Sequence, residues 1–262
     1  MKSAPSKDGT RVAFDQYGSG PAVILVDGAL WHRGFGPMPS IGKLLVPHFT
    51  VFHWDRRGQS GDMPPYSVER EIEDIEAIVD EAGGSVYLFG TSSDAALVLE
   101  AASRLDGITR VALYEAPFFF NDVHPPRPDN DVAKLTAPAA ANRRSDALKL
   151  YIKTVGTPGI AIAILQLTPM WAKLKAVGPT LPYDMTIVSD KRAGEPLSAR
   201  RWSSVTMPAL TAVGGKSPGW WQDAMKQLSK VLPNAQHRVL AGQTHMVEAP
   251  VLAPVLTEFF LN

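Results

Sequence analysis

Apolar residues change their spacing repeatedly along the chain, and each change predicts an element. Thr10 to Tyr17 alternates polar and apolar side chains with the period of two expected of a strand. Gly18-Ser19-Gly20-Pro21 then turns the chain into the unbroken apolar run Ala22 to Val26, which predicts a second strand and ends at Asp27-Gly28. Thr50 to Trp54 predicts another. From Val68 to Ala82, the residues Val68, Ile72, Ile75, Ile78 and Val79 recur at spacings of three and four, the mark of an amphipathic helix, closed by Gly83-Gly84. Ser85 to Phe89 reads as a buried strand, Ser93 to Leu105 as a helix and Thr109 to Tyr114 as a strand. The alternation resumes late, with strand Ala209 to Val213, helix Trp221 to Val231, strand Gln236 to Leu240 and helix Leu252 to Leu261. Strands alternating with helices predict a mostly parallel sheet flanked by helices, hence the α/β class.

The stretch from about 118 to 205 breaks this rhythm, with many prolines, few strand signals and helical patterns near Asn142 to Val155 and Gly159 to Val177. It predicts a helical cap inserted into the sheet, whose strands hold it at both ends. Residues 1–262 are therefore expected to form one domain, with a core of 1–117 and 206–262. No internal repeat or low-complexity tract interrupts this plan.

Composition narrows the function classes. With 262 residues, 45% hydrophobic and 20% charged, the chain has ample material for a large core. Its 26 basic and 26 acidic residues cancel without long runs of one sign, so no general attraction to nucleic acid or membrane is expected, and a neutral small molecule fits better as partner. The absence of cysteine excludes disulfides, a thiolate nucleophile and cysteine-ligated metal. Met1 to Gly9 has no apolar signal-like region, and no stretch approaches the roughly 18 apolar residues of a membrane span, so a cytoplasmic protein is expected. Oligomeric state leaves no mark in these patterns.

The chemistry gathers around Gly90-Thr91-Ser92-Ser93-Asp94, between a predicted strand and a predicted helix. It fits the G-x-S-x-G elbow except that Asp94 takes the place of the last glycine. In such a turn the serine is strained so that its hydroxyl projects above the carboxyl ends of the strands, and Gly90 leaves room for the chain to double back. A serine hydroxyl attacks only with a base in reach and a third group to orient that base, which makes Ser92 the candidate nucleophile. The plain alternative is an ordinary helix N-cap serine.

His245, in the loop after the last predicted strand, is the candidate base; His53 and His237 fall within strands, and His32, His48 and His124 lie too early or outside the sheet. Glu115 ends the strand beside the elbow strand and is the candidate acid, with Asp223 and Asp190 as alternatives. The Ser93 amide and the Gly28/Ala29 segment are placed to form an oxyanion hole, although Asp27-Gly28 also reads as a simple turn. Asp55 to Asp62 has no P-loop pattern and reads as an ion-paired structural loop. Within the cap, Met170, Trp171 and Tyr183 are candidates for lining a substrate pocket, with cap-to-sheet packing as the plain alternative.

With these residues assembled, the chain resembles the α/β-hydrolase superfamily over nearly its whole length. It looks in particular like the branch that includes zearalenone lactonase and small bacterial esterase-like hydrolases. The points of similarity are Asp27-Gly28, Asp55-Arg56-Arg57-Gly58, the Gly-x-Ser-Ser elbow, Glu115 after the elbow's neighbouring strand, and Gly242-x-x-His245. The resemblance implies an α/β-hydrolase fold, a Ser92-His245-Glu115 triad and hydrolysis of a neutral carboxylic ester or lactone through an acyl-enzyme, with no metal and no organic cofactor. Most members carry the acid after the strand that here is Ala209 to Val213, so Glu115 is a distinguishing position. The fold also hosts cofactor-free oxygenases, lyases and cyclases, and ligand-binding members that do not turn over. Asp94, where the family has a glycine that lets helix pack on strand, is the departure that bears on those alternatives.

Overall fold

The computed structural model describes residues 2–59, 66–118, 131–188 and 201–262. In chain order the strands are β1 (Lys2–Pro5), β2 (Arg11–Gly18), β3 (Ala22–Val26), β4 (Thr50–Trp54), β5 (Val86–Thr91), β6 (Ile108–Tyr114), β7 (Ala209–Gly214) and β8 (Ala235–Leu240). The helices of the core are α1 (Met38–Leu45), α2 (Val68–Glu81), α3 (Ser93–Ala102), α9 (Gly219–Val231) and α10 (Ala249–Leu261). Between β6 and β7 lie α4 (Asp131–Ala140), α5 (Arg144–Thr154), α6 (Gly159–Gln166), α7 (Pro169–Ala176) and α8 (Leu181–Val188), with a 3-10 turn at Gly178–Thr180 before α8.

The strands form one sheet in the order β1-β2-β4-β3-β5-β6-β7-β8. Pairing is antiparallel on both sides of β2 and parallel from β4 through β8. The unbroken apolar run of β3 has its physical reason here, since parallel strands are covered on both faces. Ile24 and Val26 pack with α2, α3 and α9 on one face, while Val23 and Leu25 pack with α1 and α10 on the other. A third apolar cluster, including Leu135, Leu148, Trp171, Leu174 and Met185, joins the cap helices to Ala29 and its neighbours in the segment after β3. Among the described residues no helix is long and apolar enough to cross a membrane.

Several local departures have simple causes. The helix expected from Gly159 to Val177 is two, because Pro169 has no backbone N–H and starts a new helix at its first position. The elements β1, α1, α4 and α8 lie outside those the sequence pattern predicts; each is short, and each of the three helices carries a proline in its first turn or interior.

Register sets up the functional edge. Val26 pairs with Gly90, Gly90 with Leu113, Tyr114 with Ala212, and Gly214 with Leu240. The carboxyl ends of β3, β5, β6, β7 and β8 therefore finish at one edge, and the residues that follow them meet there.

Candidate active site

Ser92 joins β5 to α3 with φ 55° and ψ −132°, a conformation that costs an L-residue energy. Its amide donates to the Tyr114 carbonyl at 2.9 Å, which extends the ladder into the turn. Gly90 is required by contact: a Cβ there would stand 2.7 Å from both the Asp94 carbonyl oxygen and Val98 Cγ2. Four non-glycine residues among those described have φ in the left-handed range, and three of them, Leu30, Ser92 and Glu115, surround this edge of the sheet. Backbone strain is thus concentrated where the strands end.

Glu115 is fully buried at the end of β6, its amide still paired to the Ala212 carbonyl. Oε1 accepts hydrogen bonds from the Gly214 amide at 2.9 Å and from the Ser217 hydroxyl, and Oε2 faces His245 Nδ1 at 2.7 Å. The loop after β7 thus supplies two donors that hold a carboxylate borne by β6. His245 is held from other sides as well. The Tyr114 hydroxyl donates to the Thr244 carbonyl at 2.6 Å, and burial, with the nearby Glu115 carboxylate, pushes that phenol up so that it stays a donor. The Trp221 ring stacks on the imidazole at 4.9 Å, and Trp220 stacks on Trp221 at 4.2 Å. Asp223, one alternative acid, is exposed on α9, and Asp190, the other, lies outside the described residues.

Ser92 and His245 line one cavity of about 800 Å³. No hydrogen bond joins their side chains among the described residues; with Nδ1 engaged by Glu115, the imidazole's Nε2 is the nitrogen available for proton transfer. Ala29 and Ser93 also line the cavity, and the Ala29 amide donates to Ser93 Oγ at 3.3 Å. Gly28 backs onto the elbow, where a Cβ would sit 3.1 Å from Thr91 Oγ1 and 3.5 Å from Ser92 Cβ. No Asp, Glu, Lys or Arg is among the described lining residues, and Leu30, Trp31, Tyr151, Ile152, Trp220 and Trp221 form much of the wall.

The cap residues expected at the pocket are elsewhere. Trp171 is buried in the apolar cluster that joins the cap to the Ala29-Leu30-Trp31 segment and is not among the cavity's described lining residues, Met170 is exposed on the cap surface, and Tyr183 lies flat against Tyr66 with ring centroids 3.9 Å apart. Helical spacing told an apolar face from a polar one but not which apolar face meets the sheet. Trp220 and Trp221 carried a usable signal, since they follow the loop at the carboxyl end of β7.

Asp94 has a structural explanation. It is fully buried beside Arg56, whose Nη1 lies 2.7 Å from Asp94 Oδ1 and 2.6 Å from Asp184 Oδ1, while its Nε and Nη2 grip Glu71. The approach to Asp94 is off the hydrogen-bonding direction, so both Asp94 oxygens lack a hydrogen bond. Burial pushes the Asp94 and Asp184 carboxyls up and Arg56 pulls the other way, while Asp184 adds to the rise at Asp94 and Glu71 to that at Asp184. Asp184 comes from α8 in the cap and also accepts from Ser93 Oγ at 3.0 Å. The neighbouring Arg57 binds Asp74 and Asp8, so the first turn of the loop after β4 is ion-paired as its residue types suggested. A further buried pair, Asp27 with His53, lies beneath the Gly28 segment; burial raises the Asp27 carboxyl and His53 opposes this.

Comparison with known proteins agrees with this architecture. Residues 18–255 match the model of the alpha/beta hydrolase family. An alpha/beta hydrolase from Sphaerobacter thermophilus is 43% identical, over 99% of this chain and 100% of that one, with a TM-score of 0.89. A thermophilic esterase from Thermogutta terrifontis has 17% identity and a TM-score of 0.73, over 99% of this chain and 97% of its own. The enol-lactonase from Burkholderia xenovorans, also 17% identical, has a TM-score of 0.71 with both chains fully covered. A search of the curated proteins finds no match. The chain belongs to the α/β-hydrolase family.

Proposed function

We propose that this protein hydrolyses a neutral carboxylic ester or lactone through an acyl-enzyme on Ser92. The observation that carries the proposal is the 2.7 Å pairing of His245 with buried Glu115 at the wall of the same uncharged, largely apolar cavity that Ser92 lines. His245 takes the Ser92 proton as the hydroxyl oxygen attacks the carbonyl carbon, and the imidazolium that forms is stabilised by Glu115. The Ser93 amide, with an amide of the Gly28/Ala29 segment, stabilises the oxyanion. Collapse expels the alcohol, which leaves with the proton from His245. Water then attacks the acyl-enzyme, again losing its proton to His245, and release of the acid regenerates Ser92. Such a reaction consumes only water and the ester, and it needs no metal or organic cofactor.

Replacing Ser92 by alanine is expected to abolish turnover of an activated aryl ester, and retained turnover would overturn the assignment. A fluorophosphonate probe is expected to label Ser92, located by mass spectrometry. An unlabelled Ser92 would move the function to non-hydrolytic chemistry or to ligand binding without turnover.

A further inference from the structure

The outer surface of the cap has a chemistry that the proposed reaction does not use. Helix α6, Gly159–Gln166, contains no charged residue, yet only Ile162 among its side chains is buried. Ile160 is 76% exposed, Ile164 61% and, just past the helix, Leu167 87%. A stable helix with this much apolar surface in water is unusual unless something covers it. Exposed apolar side chains continue to the cavity: Val155, 44% exposed in the segment between α5 and α6, and Met246, 57% exposed, both line it.

Charge singles out the occupant. Although the chain as a whole is neutral, residues 142–183 contain Arg143, Arg144, Lys149, Lys153, Lys173 and Lys175 against the single acid Asp146. Lys149, Lys153 and Lys173 are exposed. A second copy docked cap to cap would bring these cations together, whereas an anionic surface would neutralise them. Apolar side chains that enter a headgroup layer, framed by basic residues, are the pattern of a helix lying on an anionic lipid surface.

We propose that the α6 face of the cap docks on an anionic lipid surface, and that apolar substrate reaches the cavity from that surface past Val155 and Met246. The docking is independent of the chemistry at Ser92; the passage of substrate rests on the hydrolytic reading.

The test is co-sedimentation of the full chain with phosphatidylcholine vesicles made with and without phosphatidylglycerol, at low and high salt. Binding is expected only with phosphatidylglycerol and is expected to weaken as salt rises. The double variant I164E/L167E, altered outside the cavity wall, is expected to lose binding at least about tenfold while turning over a water-soluble aryl ester at the wild-type rate. Lys153→Gln is expected to lower binding about fivefold. Vesicle binding that ignores phosphatidylglycerol, or that survives I164E/L167E, overturns the proposal. So does a wild-type dimer in solution that I164E/L167E dissociates, because a second copy is then the occupant. The Ser92→Ala variant is expected to bind vesicles like the wild type, so failure of docking and failure of the hydrolytic reading are read separately.

Discussion

Glu115 and Asp94 are equally hidden from solvent, and both lie close to Ser92, yet their surroundings are opposite. Glu115 is a single carboxylate whose Oε1 accepts from Gly214 and Ser217 and whose Oε2 meets His245. Asp94 shares one guanidinium with Glu71 and Asp184 and makes no hydrogen bond of its own. At the first site both oxygens are partnered, and the carboxylate is held facing the imidazole. At the second, three carboxylates crowd one cation, and burial pushes the Asp94 and Asp184 carboxyls up. The difference teaches that burial alone does not single out the carboxylate that pairs with a histidine at the cavity. What separates the two is whether the neighbours satisfy the charge or compete for it.

The sharpest way to break this contrast is to neutralise Glu115. In the proposed hydrolysis, Glu115→Gln is expected to lower kcat by a factor on the order of 10⁴ on an aryl ester, with the unfolding midpoint close to wild type. Equal losses of activity and stability would reduce Glu115 to a structural residue. Arg56→Met should do the reverse, costing about 3–5 kcal/mol in denaturant unfolding, because three buried carboxylates lose the cation they share. Ser217→Ala removes one donor to Glu115 and is expected to lower kcat roughly tenfold at unchanged KM, in line with about 1.5 kcal/mol for a hydrogen bond to a charged group.

The smallest effect is a change of slope with pH. The folded protein holds the Asp94 proton more tightly than the unfolded chain, whose carboxyl titrates near 3.8. The stability that this proton brings is complete below that value and is lost as pH rises through the raised folded value. Asp94→Asn removes the titration, so its thermal midpoint should gain on the wild type as pH climbs from about 4. A constant difference across that range would mean that Asp94 does not carry the proton.

Much of the sheet was legible because its signals are local. The apolar run of β3, the two-residue alternation of β2 and the Gly90-x-Ser92 turn each fit inside a window of a few residues. Glu115 and His245 were also within reach, because parallel strands put the residues that follow them at one edge. The pocket wall was not. Whether Trp171 or Trp221 faces the cavity depends on how helices pack, and that is decided by contacts far apart in sequence. The role of Asp94 was hidden for the same reason: Arg56 reaches Asp184 across 128 positions of chain. Spacing identifies a charged residue but not its distant partner.

The Arg56 cluster also governs how the cap can move. Lifting α8 away from the sheet would pull Asp184 off both Arg56 and Ser93 and leave a guanidinium short of one partner in a dry interior. The cap is therefore riveted to the sheet at α8. One buried aspartate of the cap, Asp184, thus ties α8 both to the loop after β4 and to the first turn of α3.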